Sequence, residues 1–451
     1  MMLTKMLQKM LAATAFAVLL FSVSAERLHA QQNETDSIIR FFQSKVSQDP
    51  DDFFNYDHLG VAYIQKARET GDITYYDLAA KALQKSLVLE SAQPEAASAT
   101  KHLATVYFAE HRFADALALT QQALELNARD ISPYALLGDA RTEMGEYEQA
   151  WDAFGHLQNP MDAQSATSGV QYLLQCRESV KAFLTGAPMS SIDHMRRAAE
   201  ISAETRMVRE SVAWSQFTLG ENYFQVGDYG NAKDAYEDAL KTYPGYHRAL
   251  AGLAKVASAQ SRFVDAIELY KKASAVIPLP AYAAALGDVY AKTGNAVEAK
   301  KQYDLVEYIG RLNTFNQTVY NRELAVFYAD HDIHLQQALT LARREFEVRH
   351  DIYTWDALAW ALYKNSQPER AAAAMKEALR LDTKDALLLF HAGMIYERLN
   401  EHEKAQDFLQ RAVALNPQFH LFFTDLAQST LQTLSSGSIA ATSPRTSDVK
   451  P

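Results

Sequence analysis

A pattern of large and small side chains recurs every 34 residues along this 451-residue chain. Two successive copies share the same three residue types at the same spacing: Ala232, Tyr236, Ala239 and then Ala266, Tyr270, Ala273. A fixed period of this length indicates stacked units that cannot bury their apolar faces alone. Within each unit, apolar residues three, four and seven positions apart lie on one face of a helix. The sequence therefore predicts pairs of helices, joined by tight turns and stacked in one dimension.

Small residues hold fixed places in this repeat. Glycine recurs in the first helix of a unit, at Gly60, Gly138, Gly220, Gly287 and Gly393. Alanine recurs in the second helix, at Ala116, Ala150, Ala232, Ala266, Ala299, Ala371 and Ala405. Glycine inside a helix costs about 1 kcal/mol relative to alanine, so its recurrence predicts a close contact between the two helices. Prolines such as Pro244 and Pro278 end the second helix, because proline cannot continue a helix.

These residues and their spacing resemble the tetratricopeptide repeat, from about Phe53 to Asn416. The resemblance implies an all-α fold, a right-handed α-solenoid of about ten helix-turn-helix units whose usual activity is to bind other proteins. The units are expected to begin near Phe53, Ala97, Ile131, Tyr172, Ala213, His247, Pro280, Thr318, Ile352 and Ala386. The last repeats also look similar to those of uncharacterised exported bacterial tetratricopeptide-repeat proteins.

The repeats predict how the chain is divided. The expected order is a signal peptide (1–25), an N-terminal capping helix (31–52), units one to three (53–158), a linker with a degenerate fourth unit (159–212), units five to ten (213–417), a C-terminal capping helix (418–434) and a disordered tail (435–451). Capping helices give the terminal units a face that tolerates solvent. An insertion at 68–74 is expected to lengthen the turn inside the first unit.

The first thirty residues predict export. Lys5 and Lys9 precede an uncharged apolar stretch, and Val23 and Ala25 place small residues where a signal peptidase reads them. The apolar stretch is shorter than the roughly 20 residues of a membrane-spanning helix. The expected location is a bacterial periplasm, or secretion, after cleavage behind Ala25. Cleavage behind Ala30 and an uncleaved leader that anchors the chain are the alternatives.

The net charge and the cysteine and histidine residues argue against nucleic-acid binding, thiol chemistry and metal binding. Loss of Lys5 and Lys9 with the leader changes the formal charge of the chain from −11 to −13. Proteins that bind nucleic acid neutralise its phosphates with lysine and arginine, so this negative charge argues against nucleic-acid binding. Cys176 is the single cysteine, and it is expected to be a small buried hydrophobe rather than a reactive thiol. His331 and His334 are expected to lie in a solvated turn. The sequence predicts no catalytic residue, no metal ligand and no cofactor.

The resemblance also indicates where a partner would bind. In tetratricopeptide arrays the second, fifth, ninth, twelfth and thirteenth places of the first helix face a concave groove. The residues predicted to bind a partner protein or peptide there are Trp214, Phe217, Glu221, Phe224, Tyr353, Trp360, Tyr363 and Phe390. Aromatic side chains dominate binding hot spots, so Trp360 is expected to be exposed in the groove, whereas Trp355 is expected in the core. The ninth places hold no asparagine, which argues against the carboxylate clamp of chaperone-binding members.

Three classes of function follow from this interpretation. The predicted one is an exported scaffold or adaptor that binds a partner protein of the cell envelope in its concave groove, without catalysis. A solenoid that binds a glycan or a small ligand through its aromatic residues is the alternative. An enzyme is the third class, although no compact domain outside the repeats is available to carry its chemistry.

Overall fold

Twenty-two α-helices make up the computed structural model, which describes residues 34–92, 94–158, 166–315 and 321–442. No strand occurs in these ranges, and each helix packs mainly against its neighbours in chain order, so the chain folds as the predicted all-α solenoid. Within the same ranges, no helix combines the length and the apolar composition needed to cross a bilayer. The predicted signal peptide lies outside the described residues.

The helices follow one another with short connections. They are α1 (34–48), α2 (Phe53–Thr70), α3 (Thr74–Leu89), α4 (Ala96–Ala109), α5 (Phe113–Leu126), α6 (Pro133–Glu143), α7 (Tyr147–Gly155), α8 (Ser168–Leu184), α9 (Pro188–Glu204), α10 (Arg209–Gln225), α11 (Tyr229–Thr242), α12 (His247–Ala259), α13 (Phe263–Val276), α14 (Pro280–Lys292), α15 (Ala296–Phe315), α16 (Asn321–Asp330), α17 (Leu335–Phe346), α18 (Ile352–Lys364), α19 (Pro368–Ala378), α20 (Ala386–Arg398), α21 (His402–Leu415) and α22 (Phe423–Thr442). A short 3₁₀ helix, His156–Gln158, follows α7. The pairs α2/α3 to α20/α21 are units one to ten.

Each glycine of the repeat accommodates a large side chain from the second helix of its own unit. A Cβ atom on Gly220 would lie 2.5 Å from Cε1 of Tyr236, closer than real Cβ contacts allow. The same relation, sixteen residues apart, joins Gly138 to Phe154, Gly220 to Tyr236, Gly287 to Tyr303 and Gly393 to Leu409. The repeated alanines of the second helices are buried as well. The predicted packing role of the small residues is confirmed.

Units one and four are more regular than the sequence suggested. The turn of unit one spans only Gly71 to Ile73, because the inserted residues extend α2 to 18 residues instead. The expected longer turn is therefore wrong. Unit four is a complete pair, with α8 and α9 of 17 residues each. Its preceding linker falls largely on 159–165, outside the described residues.

Capping helices cover both ends of the array. Ile39 of α1 joins the core of unit one, and Asp36 forms an ion pair of 2.6 Å with Lys66. At the other end, α22 begins at Phe423 and extends to Thr442, past the expected start of the tail at Ser435. Residues 443–451 lie outside the described ranges.

The solenoid is wound tightly enough for units five apart to touch. The turns of units three, four and five meet the loops that follow units eight, nine and ten. Three buried hydrogen bonds make these connections: Ile352 N–H to the Tyr147 hydroxyl (2.8 Å), the Thr383 hydroxyl to the Leu184 carbonyl (2.5 Å) and the Asn416 amide to the Phe224 carbonyl (2.8 Å). An ion pair of 2.7 Å between Arg349 and Glu143 adds to them.

Glycine is required at two of these junctions. Gly145 and Gly186 have φ values of 75° and 76°, in the left-handed region that disfavours other residues. A Cβ atom on Gly145 would also overlap the carbonyl oxygen of His350, and one on Gly186 would overlap that of Asp382. Both turns therefore rest directly on the backbone of a unit five positions later.

We expect Gly186→Ala to separate the turn of unit four from the loop that follows unit nine. Gly294→Ala is the matched control. Gly294 has the same kind of backbone (φ 79°), but no atom lies within 4 Å of the place that a Cβ would occupy. In both variants, an alanine in the left-handed backbone region therefore costs about 1–2 kcal/mol of stability. Only Gly186→Ala should lose more unfolding free energy in urea and gain radius of gyration in small-angle scattering. Equal losses and an unchanged radius would contradict docking between the units.

Candidate functional site

A cavity of about 400 Å³ opens between the first helices of units seven to ten and the second helix of unit seven. The first helices of successive units form what we call the inner face of the solenoid. The cavity walls are mostly apolar, with Ala281, Ala284, Val306, Leu324, Val326, Phe327 and Leu387. Its polar lining consists of Asp288, Arg322, Glu323, Asp330, His331, Tyr353, Asp356 and His391.

One aspartate–histidine pair joins units seven and eight across the cavity. His331 lies with Nε2 2.7 Å from Oδ1 of Asp288 and Nδ1 2.7 Å from the carbonyl oxygen of Phe327. Burial alone would lower the pKa of His331, but its hydrogen bond and attraction to Asp288 raise that pKa above the ordinary value. Since both ring nitrogens face acceptors, the geometry favours the imidazolium form. Tyr303 also donates to Asp288, at 2.8 Å.

A second pair joins units nine and ten. Nδ1 of His391 lies 2.9 Å from Oδ1 of Asp356, and the imidazole stacks on Trp360 with centroids 4.1 Å apart. The His391 residue is only 1% exposed. Burial would lower its pKa, but the charge of Asp356 raises the pKa overall. Its Nε2 atom has no hydrogen-bond partner within the described ranges, although the residue lines the cavity.

Asp330 lies close to both pairs, and His391 and His331 attract its charge without an ion pair to it among the described residues. Its Oδ1 atom accepts a hydrogen bond of 2.8 Å from Nε1 of Trp360. Its Oδ2 atom has no protein partner among the residues that the structure describes. Burial raises the pKa of Asp330 to about 6, against the opposing attraction of His391. The cavity therefore contains a carboxylate whose charge is not neutralised by an ion pair.

The lining as a whole is acidic. Its ionisable groups are four carboxylates, two histidines and one arginine. The formal net charge is thus −1 with both histidines charged and −3 with both neutral. At the edge of the cavity, Arg322 is held by Asp351, at 3.2 Å. The site therefore favours cationic over anionic ligands.

The four residues predicted to bind a partner in unit five do not line this cavity. Glu221 forms an ion pair of 2.6 Å with Lys255, and Phe224 is buried beneath the same lysine. Trp214 packs against the cores of units four and five, and Phe217 packs against the core of units five and six. These contacts connect neighbouring units, and partner binding by this set stays a prediction.

The four predicted residues of units nine and ten have different environments. Tyr353 lines the cavity. Trp360 and Phe390 are 1% and 0% exposed, so the expectation that they are exposed in the groove is wrong. The chain entering α22 covers them, since the ring of Phe423 stacks on Phe390 at 4.8 Å. Tyr363 is half-buried and stacks on Trp360 at 4.8 Å.

Two other expectations about single residues have opposite outcomes. His331 lies in the predicted turn after α16, but its ring is largely buried because it contacts Asp288, whereas His334 is exposed near Glu307. Cys176 is 3% exposed, and burial raises the pKa of its thiol to about 11. A thiol with this pKa is unreactive at neutral pH, which confirms the prediction of a buried hydrophobe. The described residues contain no group of three or more histidine, cysteine or acidic side chains that could hold a metal ion.

Comparison with known proteins agrees with this architecture. A family model described as tetratricopeptide repeat matches residues 217–278 and 357–418, which are units five and six and units nine and ten. The chain contains tetratricopeptide repeats. A search of curated proteins finds no match to it.

Solved structures similar to this tetratricopeptide-repeat protein are distant. The APC/C hetero-tetramer Cut9–Hcn1 is 14% identical, with 90% of this chain and 94% of that chain covered and a TM-score of 0.34. A tetratricopeptide repeat protein from Parabacteroides merdae is 14% identical, with 59% and 99% covered and a TM-score of 0.34. Yeast Tom70 is 12% identical, with 86% and 98% covered and a TM-score of 0.32.

Burial of Trp360 gives a prediction about stability in this tetratricopeptide-repeat protein. Trp360→Ala should lower the free energy of unfolding by about 3–5 kcal/mol, the usual cost of removing a buried aromatic ring. Trp355→Ala is the comparison, and it should cost less because Trp355 is only half-buried, against Phe346. Urea denaturation followed by circular dichroism measures both. A Trp360→Ala protein that unfolds like wild type would show that this indole is not a core residue.

Proposed function

We propose that this protein is an exported scaffold that holds a segment of a partner protein in the cavity of units seven to ten. The cavity is the observation that carries the proposal. Its volume of about 400 Å³ falls in the range of ligand clefts, roughly 300–1,000 Å³. Apolar walls with a few convergent polar groups are also typical of such clefts.

The fold supports a partner that is a protein. Tetratricopeptide repeats form a scaffold for protein interactions, and the cavity lies on the face formed by four consecutive first helices. A small ligand is the second candidate, because the cavity volume would also suit one. Both candidates involve binding alone, without a catalytic step.

Export is proposed from the leader, whose charged start and small residues at 23 and 25 match a signal peptide. Expressed in a bacterial host, the protein should be found in the periplasmic fraction with Glu26 as its first residue. Ala25→Asp should block this cleavage, whereas Ala30→Asp should leave it unchanged. N-terminal sequencing of the fractionated protein reads the result, and an intact leader on a cytoplasmic protein would contradict export.

Blocking the cavity should abolish partner capture. Ala281 is an exposed alanine in the lining, so Ala281→Phe places a ring in the cavity without changing the core. Ala275→Phe is the matched control, since Ala275 is also exposed but lies outside the lining, on α13. In a quantitative pull-down from envelope extract, Ala281→Phe should reduce the captured partner at least about tenfold, equivalent to 1.4 kcal/mol. A partner that both variants retain would show that it binds elsewhere.

A further inference from the structure

We propose that the cavity recognises a lysine side chain of the bound partner segment, with Asp330 as its counter-ion. This inference rests on the proposed function, because it names the group of the partner that enters the cavity. It follows from the polar atoms that the protein leaves unpaired in the cavity, from the geometry of Asp330 and from the apolar walls.

The carboxylates of the cavity differ in how their charges are compensated. Asp288 is bound by His331 and Tyr303, and Asp356 is bound by His391. Asp330 has one hydrogen bond, from the neutral indole of Trp360, and no ion pair within 4 Å in the described part of the chain. A carboxylate removed from water without a charged partner is unfavourable. A bound cation would remove this cost.

A second unpaired atom lies in the same cavity. His391 is almost completely buried, and its Nδ1 atom is engaged by Asp356, so only Nε2 is left without a partner within the described ranges. In the neutral imidazole that carries its proton on Nδ1, Nε2 is an acceptor. An ammonium group has three donors and no acceptor. It can therefore satisfy Oδ2 of Asp330, and Nε2 of His391 can accept from it when that histidine is neutral.

Asp330 suits an ammonium better than a guanidinium. The planar fork of arginine matches both oxygens of a carboxylate, but Oδ1 of Asp330 is already occupied by Trp360. A lysine ammonium needs only the free oxygen. The walls suit the rest of the lysine, because Ala284, Val306 and Leu324 offer an apolar surface to its four-carbon stem.

Acidification should weaken this binding. Five helices contribute ionisable groups to the surroundings of Asp330. They are α14 with Asp288, α15 with Tyr303, α16 and the residue after it with Arg322, Glu323 and His331, α18 with Tyr353 and Asp356, and α20 with His391. His420, before α22, lies nearby. The pKa of Asp330 is about 6, and those of His331 and His391 are raised. Below about pH 6, Asp330 loses its charge while the two histidines are positive. The lost charge of Asp330 disfavours a cation beside two positive histidines, and His420, whose pKa is lowered to about 4, stays neutral.

The test compares two small probes on the full chain. Nα-acetyl-lysine methylamide carries the ammonium, and Nα-acetyl-norleucine methylamide has a similar apolar stem without it. Binding is followed by the NMR resonance of the Trp360 indole N–H, which contacts Asp330. At about pH 7.5 we expect wild type to bind the lysine probe at least about tenfold more tightly, as for a charge-assisted hydrogen bond. The preference should disappear at about pH 5.

Asp330→Asn removes the charge and keeps an oxygen that can accept from Trp360. It should bind the two probes equally. Asp332→Asn is the matched control, because Asp332 is exposed and pairs with Lys364 outside the cavity, and its preference for lysine should persist. Equal binding of the two probes by wild type, no response to either, or an unchanged preference in Asp330→Asn would overturn the proposal. If Asp330→Asn does not fold, the wild-type comparison at the two pH values decides the question.

Two further measurements complete the test. The first asks whether the ammonium belongs to a partner lysine or to a free small amine, and the second separates this inference from the proposed function. Free cadaverine binding much more tightly than the lysine probe would overturn a partner lysine in favour of a small amine. In the envelope pull-down, a partner that Asp330→Asn retains but Ala281→Phe loses would leave the scaffold function standing and refute lysine recognition. A partner retained by both variants, together with Asp330-dependent binding of the lysine probe, would refute the scaffold function and leave the ammonium site.

Discussion

The close approach of the two helices within each unit is the contact on which the rest of the solenoid depends. A glycine on the first helix receives a large side chain of the second, as Gly220 receives Tyr236. A side chain at the glycine would force the helices apart and change the angle at which the unit presents its neighbours. Because this contact recurs along the array, a small change in its geometry would accumulate from one unit to the next. It therefore helps to determine how tightly the solenoid winds.

The polar lining of the cavity connects consecutive units. Asp288 of unit seven meets His331 at the end of the first helix of unit eight, and Asp330 of unit eight meets Trp360 of unit nine. Asp356 of unit nine then meets His391 of unit ten. Each contact joins the first helices of adjacent units, so the groups that line the cavity also fix the stacking around it. This dual role explains how charged groups can be held in a half-buried site, with Asp330 outside any ion pair of the described residues.

The sequence predicted the repeats and the small-residue contacts because both depend on spacing within one unit. It also contained a signal for the cavity: counted from the expected starts of their units, Asp288, Asp330 and Asp356 occupy the ninth, thirteenth and fifth places, which face the groove. The predicted binding residues are instead mainly the aromatic residues at similar places. The repeats predict a C-terminal capping helix but do not indicate which residues it covers, so the burial of Trp360 and Phe390 could not be predicted. The histidine pairs depend on contacts between units, which a pattern within one unit does not contain.

Docking between units five apart limits how such an array can change in evolution. A simple linear solenoid can gain or lose a repeat with little effect on distant ones, because stability is a sum over neighbours. Here the turn that contains Gly186 must meet the loop at Asp382, so deleting one intervening unit would bring the wrong loop to each turn. The number of repeats between units three to five and units eight to ten is therefore fixed by geometry. The same long-range contacts should couple the unfolding of units three to five with that of units eight to ten. In a purely linear array, distant units can unfold independently.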